Sequence, residues 1–188
     1  ISFSPFQNYI RSFFIYKSFL SALSMENDEN CEVIEEVVKE YDRLKGMYTL
    51  PDFDGLSEDF DIEKSFDKLT RYPLREIRRA INEKFTAYFH LFETLMNPSS
   101  PPMFIFSVLK GLDETDKKSI REIYKKLAQF QLRAMERDTV YDEREEAKFV
   151  FDSFGMWQGL KGEILNLIGK FDKSFEGGEK VNNGGYFG

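Results

Sequence analysis

Three arginines near the start of one long periodic stretch have the types and spacing to do chemistry. Arg75, Arg78 and Arg79 follow one another at steps of three and one, which gathers their guanidinium groups over a single helical turn. A guanidinium is a planar fork of donors that stays charged, so the chemistry it offers is recognition of phosphate or carboxylate groups. The amino end of a helix favours an anion at the same place through its dipole. The intramolecular alternative is charge pairing. Between Glu26 and Glu63 the acids outnumber Lys39, Arg43 and Lys45, and a basic stretch carrying Lys64, Lys68, Arg71, Arg75, Arg78, Arg79 and Lys84 follows. The two stretches could face each other, or Arg79 could pair with Glu83.

Other chemically capable residues are scarce. The single histidine, His90, precedes Glu93 by one turn, whereas a helical di-metal centre needs two Glu-x-x-His pairs and further carboxylates. Cys31, the single cysteine, sits among Asn30, Glu32 and Glu35, and the negative charges of the two glutamates disfavour a reactive thiolate. No G-x-S-x-G turn occurs. The acidic run Asp52, Asp54, Gly55, Glu58, Asp59, Asp61 resembles a calcium loop only in composition. With Gly55 at the sixth position, Leu50 falls at the first and Asp61 at the twelfth, where a bidentate Glu is required. These residues therefore read as an acidic linker. No catalytic set, metal or cofactor is expected.

Composition agrees with a binding role. The 188 residues carry a formal net charge of −7, which disfavours general nucleic-acid binding. A hydrophobic fraction of 41% with twenty Phe is ample for a packed core. One cysteine precludes an internal disulfide framework and suits a cytoplasmic setting. The most apolar segment, Ser12 to Leu23, is broken by Lys17, so neither a membrane span nor a signal segment is expected.

The elements that must position the arginines are helices. Ser4, Pro5 and Gln7 open the first, which runs to about Ser24, and Asn27 begins a second that Gly46 ends. Met47 to Phe60 reads as irregular, followed by a short helix near Asp61 burying Ile62, Phe66 and Leu69. Pro73 opens the central helix. Leu74, Ile77, Ile81, Phe85, Tyr88, Phe92 and Leu95 form its apolar stripe, with Arg75, Arg79, Asn82, Thr86, His90 and Glu93 opposite. After the break at Asn97–Pro102, a short helix from Met103 to Gly111 is apolar nearly all round and should be the most buried of the set.

A fifth helix starts at Asp113 or Thr115, and the pair Asp142 and Glu145 opens the last as a capping box. Its stripe includes Ala147, Phe151, Phe154, Trp157, Leu160, Ile164, Ile168 and Phe171. Gly155, Gly159 and Gly162 interrupt it, predicting a kink or the close approach of another backbone.

The reading is an all-α protein, a compact multi-helix bundle of five to six helices with mostly antiparallel neighbours. Residues 1–175 form one domain and 176–188 a flexible Gly/Asn-rich tail whose Tyr186 and Phe187 could dock on a partner. The expected function is that of a non-enzymatic interaction protein: a scaffold, adaptor or assembly subunit that meets a protein partner, or a second copy, through an aromatic helical face. The alternative is an anion- or nucleic-acid-binding module built on Arg75, Arg78 and Arg79.

Overall fold

The computed structural model describes residues 27–66, 70–97 and 103–179. The predicted first helix, Leu69 of the short one, and Tyr186 and Phe187 of the tail lie outside these residues. The chain is an all-α multi-helix bundle. Its described residues hold six α-helices: α1 (Asn27–Lys45), α2 (Phe53–Phe60), α3 (Pro73–Met96), α4 (Met103–Lys110), α5 (Glu114–Thr139) and α6 (Glu143–Glu179). A 3-10 turn, Ile62–Ser65, follows α2.

Two helix starts show how local chemistry sets the boundaries. At α6 the Glu145 N–H donates to Asp142 Oδ1 at 2.9 Å, the bond expected of an N-cap aspartate. At α5 the exchange is reciprocal. The Asp116 N–H donates to Asp113 Oδ1 at 2.8 Å, and the Asp113 N–H to Asp116 Oδ2 at 3.3 Å.

The segment predicted to be irregular contains α2. Phe53, Leu56 and Phe60 are buried at steps of three and four, a periodicity obscured by Gly55 and the surrounding acids. The helix stops at Asp61, in the left-handed region at φ 54°, ψ 39°, where its N–H reaches Ser57 O at 2.8 Å. Aspartate bears that conformation better than most side chains. Ile62 and Phe66 then turn inward, as expected of the short helix there.

The described contacts gather into two compact units, each with its own core. One draws on Glu26–His90 and Lys125–Gly159. At its centre the Phe85 ring stacks on Phe130 with centroids 3.9 Å apart and meets Phe60 at 6.3 Å and Trp157 at 5.8 Å. Phe85 is fully buried, a burial that stabilises by roughly 2–3 kcal/mol. Contacts along the helices fix their directions here. Gln131 bonds Thr86 and Asp138 bonds Arg78, so α5 runs antiparallel to α3. Arg137 bonds Glu145 while Phe130 meets Phe149, so α5 is also antiparallel to α6.

The second unit draws on Leu91–Tyr124 and the chain from Leu160 on. Its core is more aliphatic, with Ile105, Val108, Ile120, Ile123, Ile164 and Leu167 buried beside Phe92 and Phe171. Lys170 pairs there with the buried Asp116. The helix α4 is amphipathic rather than buried all round. Ile105 and Val108 are buried on one side, continued by Leu112 just past the helix, and Phe106, one residue off that line, is 46% exposed.

The stripe of α6 departs from expectation in a similar way. Val150, Ser153, Trp157, Leu160 and Ile164 are buried, while Phe151 lies off that line and is 46% exposed. Gly155, Gly159 and Gly162 fall on the opposite face. α6 continues through all three, and a Cβ added at any of them would meet no atom within 4 Å. The expected close approach is absent among the described residues. A Gly159→Ala exchange should therefore raise stability by about 0.5–1 kcal/mol through helix propensity and chain entropy. The check is the urea midpoint, which should rise with an unchanged slope; a fall would mean that something packs on this face.

Candidate functional site

The arginines of the central helix part company in the structure. Arg78 is 1% exposed, on the same side of α3 as Leu74, Ile77, Ile81 and Phe85. Its Nε donates to Glu146 Oε2 at 2.8 Å and an Nη to Asp138 Oδ1 at 2.7 Å. Glu146, in the first turn of α6, is also 1% exposed. Arg79 is exposed and holds both oxygens of Glu76, at 2.8 and 3.0 Å, rather than reaching Glu83. Arg75 lies between these extremes at 26% exposed, its Nε 4.0 Å from Glu146 Oε1.

The three guanidinium groups thus do not form one open cationic surface. Arg78 is committed to internal carboxylates because a guanidinium stripped of water needs charged acceptors close by. Its partners come from the end of α5 and the start of α6, not from the acidic α1. Part of the expected facing of acid and base does occur. Glu36, Glu40, Lys39 and Arg43 of α1 line an open cleft of about 410 Å³ with Thr70, Arg71 and Pro73. Within it Arg43 is already paired with Glu40, at 2.6 Å.

Aromatic rings hold Arg75. The Tyr72 and Tyr141 centroids are 4.5 Å apart, and the Arg75 guanidinium carbon lies 5.0 Å from the Tyr141 centroid and 6.0 Å from that of Tyr72. Arg71 lies over Tyr72 at 5.6 Å. Such contacts fix a cation in place without consuming its hydrogen-bond donors. Burial, with the nearby charges of Glu143 and Glu146, pushes the Tyr141 hydroxyl above its usual range, so it remains protonated.

Burial also raises the Glu146 carboxyl above its ordinary value of 4.5, against the opposing pull of Arg78 and Arg75. The site thus carries a desolvation cost that its ion pairs offset only in part.

The acids near this cluster do not gather into a metal-binding group. Among the described residues, no three His, Cys, Asp or Glu side chains gather where an ion could be held. The acidic run around α2 is dispersed: Asp52 pairs with Lys45, Asp61 with Lys64, and the buried Asp59 accepts from Gln158 at 2.6 Å. His90 is exposed on α3.

The sequence points to neither Glu146 nor Asp138 as a partner of Arg78, Glu146 reading only as a first-turn acid that complements the helix dipole, yet a signal for its burial exists. Glu146, Val150, Ser153, Trp157 and Leu160 follow steps of three and four, so the glutamate occupies a position on the buried stripe. Arg78 shows the same pattern with Leu74, Ile81 and Phe85.

Comparison with family models, curated proteins and solved structures finds no match.

The geometry has a consequence that depends on pH. Arg78→Met leaves the Glu146 charge buried with Arg75 alone nearby, a loss expected to cost about 3–5 kcal/mol at neutral pH. Because the Glu146 pKa is raised in the folded state, its contribution favours folding at acid pH and is lost as pH rises through that value. The destabilisation of Arg78→Met should therefore shrink as pH falls toward 4.5. Glu146→Gln, a stand-in for the protonated acid, should cost less at neutral pH. Urea titrations across this range check both; a deficit independent of pH would contradict the assignment.

Proposed function

We propose that this chain is a non-enzymatic helical interaction protein, acting as a scaffold, adaptor or subunit of a larger assembly. The observation that carries this reading is an apolar strip at the end of α5. Leu132 and Met135, one turn apart, are 70% and 65% exposed, and Val140, just past the helix, is 70% exposed. Large apolar side chains clustered in water favour a covering partner. The strip is aliphatic, not aromatic, because Phe85, Phe130 and Trp157 are consumed by the core. The dispersed acids and the internal pairing of Arg78 give catalysis no support.

No described helix is long and apolar enough to cross a membrane. A cytoplasmic location and a protein partner or second copy belong to this proposal. The anion- or nucleic-acid-binding alternative loses support, since Arg78 and Arg79 are taken by carboxylates of the chain itself.

The test is a paired substitution, Leu132→Glu with Met135→Glu. Proximity crosslinking in cells and sedimentation of the purified chain should show a defined partner or self-association for the parent protein. Both should be reduced at least about tenfold by the pair, as loss of a contact worth over ~1.4 kcal/mol implies. Circular dichroism should stay unchanged, as both side chains are exposed. A monomer whose crosslinked neighbours are identical with and without the substitutions would refute the proposal.

A further inference from the structure

We draw no further inference here: the strongest candidate, the exposed face of α6 on which Phe151 lines up with Gly155 and Gly159, is a stripe of small residues beside one apolar ring, and nothing in the structure shows what covers it.

Discussion

The structure around α3 depends on a pair of opposite charges that must be buried together. Arg78 and Glu146 are each 1% exposed and meet at 2.8 Å. Either one alone would be a desolvated charge of the kind folded proteins do not tolerate. Their requirement brings the start of α6 against the first turns of α3. Asp138, the second acceptor for Arg78, ties in the end of α5. The short connection between α5 and α6 is thereby fixed in place. Beyond it the aromatic centre of Phe85, Phe130, Phe149 and Trp157 takes over.

A charge pair in this position contributes something that apolar packing cannot. Greasy faces tolerate sliding by a residue or a turn, whereas a guanidinium and a carboxylate have one good register. We therefore assign the pair a role in alignment more than in net stability, in keeping with the burial that raises the Glu146 carboxyl. The same alignment brings Tyr141 beside Tyr72 and leaves Arg75 between their rings.

Much of this architecture was legible in the residues. The stripe from Leu74 to Leu95, the cap at Asp142 and the start of α5 at Asp113 all follow from spacing and capping chemistry, which are local. The short α2 was hidden because Gly55 and its acidic neighbours outweighed three well-spaced apolar residues. Phe106 and Phe151 were expected inside because hydrophobicity alone does not say which side of a helix has a neighbour. The arginine site was legible only as a cluster. Its division into an internal, a paired and a ring-held member depends on Glu146, a residue 68 positions from Arg78. Charge partners so distant leave a trace only where a charged residue falls on an apolar stripe, as both of these do.

The most direct test of the alignment role is a double-mutant cycle joining Arg78→Met and Glu146→Leu, read by urea denaturation at neutral pH. The account predicts that each single exchange is strongly destabilising and that the double variant is more stable than either. The coupling between them should be about 2–3 kcal/mol. Additive losses, with the double variant the least stable of the three, would contradict it.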